Sequence, residues 1–306
     1  MKKVYSSAAL LLTAIIWGFA FVAQSVGMDY VGAFTFQSTR SFLGAATLVP
    51  FILLSDRKKK REGSFVPLTA TGKKQLVKGG IACGVMLTIA SLFQQFGIAY
   101  TTVGKAGFIT SMYLILVPIL GIFFHKRVPL KIWACVLVAA VGLYFLSING
   151  SFSLSKGDTL TIICAVCFAL HILCVDHFVT MADGVKLSFI QLFTSGVISG
   201  VLMMIFDHPT LASIGAAALP ILYAGILSSG VGYTLQVVGQ KHISPTAATL
   251  LMSLESVFSV VGGVLLLSQV PTMREFFGCA LIFIAVIFAQ IPVLEGKRKV
   301  AASEEG

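Results

Sequence analysis

The chain has 306 residues, of which 57% are hydrophobic and only 11% charged, with a mean hydropathy of +0.95 and a formal net charge of +10. A soluble globular domain is about a quarter charged, so the composition excludes a pair of soluble domains and indicates an all-α integral membrane protein. The basic excess does not point to nucleic acid, because it sits in short clusters between apolar stretches of roughly 20 residues, the length at which a helix crosses a hydrocarbon core of about 30 Å.

Ten spans are predicted in chain order, at approximately 6–23, 33–54, 79–98, 106–124, 132–148, 159–178, 187–206, 213–233, 246–268 and 276–293. The opening stretch MKKVYSSAALLLTAIIWGFAFVA also has the basic start and apolar run of a signal peptide. It is read as the first helix, because the run is long and no small-x-small cleavage site closes it. The second span carries Arg40, and after it SDRKKKREGSFVPLTATGKKQ (55–75) reads as a charged cytoplasmic loop. Gly80 and Gly84 in the third span, and Gly196 and Gly200 in the seventh, have the small-xxx-small spacing of tight helix packing. Pro118 interrupts the fourth span and frees the carbonyl of Leu114, so a kink is expected there.

Taking the amino terminus as cytoplasmic and assigning loops alternately places 18 of the 22 basic residues on the cytoplasmic side; Lys105, Lys156 and Arg274 fall on the other, and Arg40 falls within a span. This is the positive-inside asymmetry, and it supports an even helix count with both termini inside. The six cysteines all lie inside predicted spans as small apolar residues, with no disulfide framework.

Sliding the chain on itself by 141 residues pairs Gly84 with Gly225, Gln95 with Gln236, Ala106 with Ala247, Leu114 with Glu255 and Gly121 with Gly262; at 142, Pro129 meets Pro271. The chain therefore divides into repeats at 1–148 and 157–294, with a cytoplasmic tail at 295–306. Five spans per repeat is an odd number, so the second repeat is inverted relative to the first. That arrangement suits a secondary transporter, whose equivalent halves exchange inward-open and outward-open shapes about a midplane site.

Glu255, in LLMSLESVFSV (250–260), stands near the centre of the ninth span. A charge at that depth costs roughly 2.5–3.5 kcal/mol, so it must face a cavity, find a partner or take up a proton. Arg40 pairs with a substrate carboxylate or with Glu255, or else snorkels to the interface. His171, near the centre of the sixth span, is a candidate to line the substrate cavity, with a histidine satisfied by a neighbour as the alternative; it follows Cys164 and Cys167 and precedes Cys174 on one helix face, but the set is too long to ligate one ion, so no metal and no cofactor is expected. Tyr113 and Trp17 are rigid amphipathic side chains of the kind that line small-molecule pockets, with core or lipid-facing packing as the alternative. Gln95, Gln236 and Tyr233, near helix ends, read as gating candidates. No GxSxG elbow, phosphate loop or HExxH occurs, so no enzyme is expected. A channel is disfavoured because the chain shows neither a repeated carbonyl filter nor a ring of like charges.

The segments KAGFITSMYLILVPILGIFFHKRVPLKIW (105–133) and AATLLMSLESVFSVVGGVLLLSQVPTMREFFGCALIFIAVIFAQ (247–290), with WGFAF (17–21) and FQSTRSFLGA (36–45), resemble the paired EamA domains of the ten-helix drug/metabolite transporter superfamily. The resemblance implies a bacterial inner-membrane carrier of small metabolites, often an exporter of amino-acid-like or other small polar compounds, monomeric or homodimeric, with its cavity between the halves. Nucleotide-sugar-like and drug-type carriers are the alternatives, and Glu255 makes proton coupling plausible. The family commonly has Pro after the SLE carboxylate and Glu before the last helix, where this chain has Ser256 and Gln269. The missing proline predicts an asymmetric bend, carried by the fourth span rather than the ninth.

Overall fold

The computed structural model describes residues 2–123, 128–147, 155–268 and 272–290. Outside the described residues lie the basic groups at 125–127 and 297–299, the positions of Gln269 and Pro271, and the tail 295–306. The described chain is helical throughout: α1 (Lys2–Gly27), α2 (Ala33–Arg61), α3 (Ala70–Ile98), α4 (Val103–Thr110), α5 (Tyr113–Phe123), α6 (Leu130–Ser147), α7 (Lys156–Val179), α8 (Gly184–Phe206), α9 (Leu211–Ala216), α10 (Ala218–Leu222), a π-helical segment (Tyr223–Gly232), α11 (Tyr233–Gln240), α12 (Pro245–Met252), α13 (Leu254–Leu267) and α14 (Met273–Gln290).

Eight helical stretches are long and apolar enough to cross a bilayer: α1, α2, α3, α4 with α5, α7, α8, α10 through α11, and α12 with α13. The fifth and tenth predicted spans correspond to shorter apolar stretches, Leu130–Gly142 and Phe276–Ala289. Two boundaries differ from the sequence reading. The expected loop 55–75 is mostly helix, because α2 runs on to Arg61 and α3 starts at Ala70. Lys and Arg are good helix formers, and the run from Lys58 to Arg61 lies in the last turn of α2, where cations favour the helix dipole. The eighth span lies at Ala218–Gln240 rather than 213–233, because buried Gln236 and Gln240 let the helix continue past its apolar part.

The interior is assembled by close helix contacts. α3 packs along α7 and α8, α2 along α8, α1 along α13 and along the π segment with α11, and α6 along α14. Glycines make these approaches. A methyl group on Gly84 would meet Thr194 Cβ at 2.6 Å, and one on Gly196 would meet the Phe42 ring at 2.9 Å. Gly18, in the WGFAF stretch, sits against the backbone of α13, where an added methyl would lie 2.3 Å from Phe258 Cβ and 2.9 Å from the Glu255 carbonyl oxygen. At one end of the bundle, the Lys105 ammonium donates to Asp158 at 2.6 Å, and Asp158 forms a capping box with Ser155 at the start of α7. At the other end, Lys186 on α8 donates to Asp56 on α2 at 2.8 Å.

The expected asymmetry of bending is not what the structure shows. The fourth span is broken at Ser111 and Met112, ahead of Pro118, and the ninth is broken at the corresponding point, Ser253, without any proline. In both places the backbone tightens: Leu114 N–H donates to the Ser111 carbonyl at 3.0 Å, and Ser256 N–H donates to the Ser253 carbonyl at 3.1 Å. In the ninth span hydroxyls do the bending. Thr249, Ser253, Ser256 and Ser259 each donate to the carbonyl three residues back, at 2.6–2.8 Å. Such back-bonding competes with the helix ladder and bends it.

The first pieces of the two broken spans, α4 and α12, are both eight residues long and start 142 residues apart, each after a hydroxyl N-cap, Thr102 and Ser244. The second pieces, α5 and α13, start 141 residues apart, which keeps Leu114 opposite Glu255. Within the third and eighth spans the spacing changes from 141 at Gly84 and Gly225 to 142 at Gly97 and Gly239, and the π segment Tyr223–Gly232 lies across the change. The wider i to i+5 turn takes up one more residue. At the spacing of 142 that holds beyond the π segment, Gln236 aligns with Gln94, whereas at 141 it aligns with Gln95.

Candidate functional site

The broken helices and the π segment surround a narrow interhelical cavity of about 20 Å³. α1 contributes Trp17, Phe21 and Gln24 to its wall, and α2 contributes Arg40. Gln94 comes from α3, Thr110 and Tyr113 from either side of the first break, and Glu255 from just after the second. Ser228, Tyr233 and Gln236 also line it, with Phe168 and Ile172 of α7.

Glu255 is 2% exposed and its Oε1 accepts from the Ser111 hydroxyl at 3.3 Å, so each break supplies one member of this contact. Tyr113 is also buried, and its hydroxyl is close enough to couple electrostatically with the Glu255 carboxylate. Arg40 is 1% exposed and does not snorkel. Its Nε donates to Gln37 Oε1 at 2.7 Å, its guanidinium lies 5.9 Å from the centre of the Phe36 ring, and its Nη2 has no protein partner. Among the described residues, no group of opposite charge lies within ion-pair distance of Arg40 or of Glu255. The two buried ionisable groups line one cavity without forming an ion pair with each other.

Trp17 is held from two sides: its Nε1 donates to the Ser228 carbonyl at 3.2 Å and its ring lies 4.8 Å from that of Tyr233. The Ser228 carbonyl belongs to the π segment, whose altered winding turns backbone acceptors toward α1. The Gly232 carbonyl likewise accepts from Thr13 at 3.3 Å.

His171 does not line the cavity but stands one layer behind it, with its ring 6.2 Å from Tyr233 and 6.3 Å from Phe168, both of which do. Its Nε2 meets Gln191 Oε1 at 3.1 Å. Since that oxygen only accepts, the ring donates from Nε2. Gln95 is also outside the cavity, and its amide donates to the Gln24 carbonyl at 3.1 Å, tying α3 to α1. Gln236 and Tyr233 are in the wall beside the charged groups, and neither end of the Gln236 amide has a protein partner. Pro118 is buried within α5, below the break.

The sequence reading missed Gln24, Gln94, Thr110 and Ser228. A signal for Gln94 was present: Thr88, Ser91, Gln94 and Gln95 recur at helical spacing in an otherwise apolar span, and all four are buried. A second stripe passed unnoticed on α8, where Ser188, Gln191, Ser195 and Ser199 share one fully buried face.

The apolar helices are long enough to cross a membrane, and the cavity between them is lined by buried ionisable and aromatic side chains. The family comparison agrees: the EamA-like transporter family matches residues 5–148 and again 155–290, and the chain belongs to that family. It is 29% identical over 294 residues to an uncharacterized transporter of Archaeoglobus fulgidus, covering 96% of this chain and 88% of that one. A solved structure described only as the crystal structure of a protein shares the fold, with a TM-score of 0.72 at 18% identity over 93% of this chain and 96% of that chain.

Proposed function

We propose that the protein is a secondary carrier that moves small zwitterionic, amino-acid-like metabolites across the membrane by alternating access, with the cavity as its substrate site. The observation that carries this reading is the pair of buried, mutually unpaired charges on one wall. Arg40 offers a planar donor fork suited to a carboxylate. Glu255 offers an acceptor for an ammonium group. A solute carrying both charges restores neutrality, and isolated buried charges otherwise cost several kcal/mol each.

Alternating access rests on the correspondence of the halves. α4 and α12 begin 142 residues apart with matching caps, both spans break at the same depth, and α3 packs on α7 as the π segment and α11 pack on α1. This supports ten spans in two inverted five-helix repeats, with α6 and α14 as the fifth and tenth. The clustering of basic residues supports termini on the cytoplasmic side of the membrane; the bacterial plasma membrane and net export are part of the proposal. Glu255 is the group proposed to exchange its proton as substrate binds. Tyr233 and Gln236, expected from the sequence to gate, are assigned to the substrate wall because they line the same cavity as Arg40 and Glu255; Gln95 is assigned a bracing role.

The test is counter-flow in proteoliposomes against a panel of the twenty L-amino acids, their decarboxylated amines and their deaminated acids. The reading expects amino acids to exchange and both truncated classes to fail. Equal exchange by the amines or by the acids would overturn it.

A further inference from the structure

We infer that Gln37 is a positioning residue that sets the orientation of the Arg40 guanidinium and ties substrate recognition to the contact between α2 and α8; this rests on the zwitterion reading above. Gln37 is 1% exposed and every interaction of its amide is directed. Its Oε1 accepts from Arg40 Nε at 2.7 Å. Its Nε2 donates to the Ser195 hydroxyl at 3.0 Å and to Ser41 at 3.2 Å, and Ser41 in turn donates to Ser195 at 3.4 Å. Arginine only donates, so the amide oxygen must face Arg40 and the amide nitrogen must face the serines. The chain of contacts runs from the cavity wall on α2 to a buried hydroxyl on α8.

Two consequences follow from this geometry. Gln37 occupies Nε, the donor at the stem of the fork, which fixes the plane of the guanidinium and leaves the unpartnered Nη2 for a ligand. A neutral amide does so without cancelling the positive charge, whereas a carboxylate in the same place would neutralise it. Because Ser195 belongs to the second of the two segments that match the family, a shift of α8 against α2 alters the Gln37 tether and with it the aim of Arg40. Nothing in FQSTRSFLGA singled out Gln37, since glutamine at i−3 of an arginine is an ordinary helical neighbour.

The experiment uses the full chain in proteoliposomes and takes the best-exchanged L-amino acid of the panel together with its decarboxylated amine. Their exchange ratio is measured for the wild type, Arg40→Ala, Gln37→Glu, Gln37→Leu and Ser195→Ala, with the thermal midpoint of each variant. Gln37→Glu is expected to keep or raise the midpoint, since the carboxylate still accepts from Arg40 Nε, while reducing the preference for the amino acid about tenfold or more, because it neutralises the charge that would meet the substrate carboxylate. Gln37→Leu and Ser195→Ala are expected to reduce it in the same direction, Ser195→Ala least. Gln37 variants that weaken both solutes equally, or leave the ratio unchanged while Arg40→Ala collapses it, would overturn the positioning role alone. An unchanged ratio in Arg40→Ala would overturn the zwitterion reading beneath it.

Discussion

Glu255 and Arg40 are each buried inside the helix bundle, and neither has an opposite charge within reach among the described residues. Glu255→Gln preserves shape and the Ser111 hydrogen bond but removes the charge. It is expected to leave the protein folded while transport falls at least tenfold and loses its dependence on a proton gradient, measured as uptake into proteoliposomes with and without an imposed pH difference. His171 has a different part. It braces Tyr233 and Phe168 from behind and pairs with Gln191, so His171→Ala should lower stability by about 1–3 kcal/mol through the orphaned Gln191 oxygen and lost packing. Because it touches no cavity space, the ratio of amino acid to amine exchange should stay as in the wild type.

At the scale of the helices, the two breaks and the π segment shape the cavity. Ser256 marks the difference from the family pattern, and the serine ladder supplies the bend that a proline would have made. Ser256→Pro removes both the N–H and the hydroxyl that donate to the Ser253 carbonyl just after the break. The expected cost is about 1–3 kcal/mol, approaching the roughly 3 kcal/mol of a proline in mid-helix, and a thermal unfolding series measures it. Gly18→Ala should be far worse tolerated, with a loss of about 1–3 kcal/mol, because the new methyl meets backbone and Cβ atoms of α13 that cannot swing away. The helices and most of the charged or aromatic wall were legible from the sequence, since a carboxylate or guanidinium inside an apolar run has few structural uses. The symmetric bend was not: a proline announces itself in a sequence, whereas hydroxyl back-bonding depends on rotamers. The one-residue shift at the π segment was hidden for a related reason. It changes winding without changing composition, and so Gln95 was paired with Gln236 when Gln94 is the residue in the wall.

For the whole molecule, membership of the EamA-like transporter family and the enclosed cavity make a carrier the natural reading, and the two matched segments give it two halves to move. A carrier exposes its site to one side at a time, so internal solute leaves faster when external solute is present to reload the site. A channel shows no such acceleration. The most direct test is therefore efflux of a labelled L-amino acid from proteoliposomes, with and without the same amino acid outside, for the wild type, Arg40→Ala and Glu255→Gln. External amino acid should accelerate efflux several-fold in the wild type and in neither variant. Efflux indifferent to external solute, or acceleration that survives both substitutions, would contradict a carrier whose substrate bridges Arg40 and Glu255.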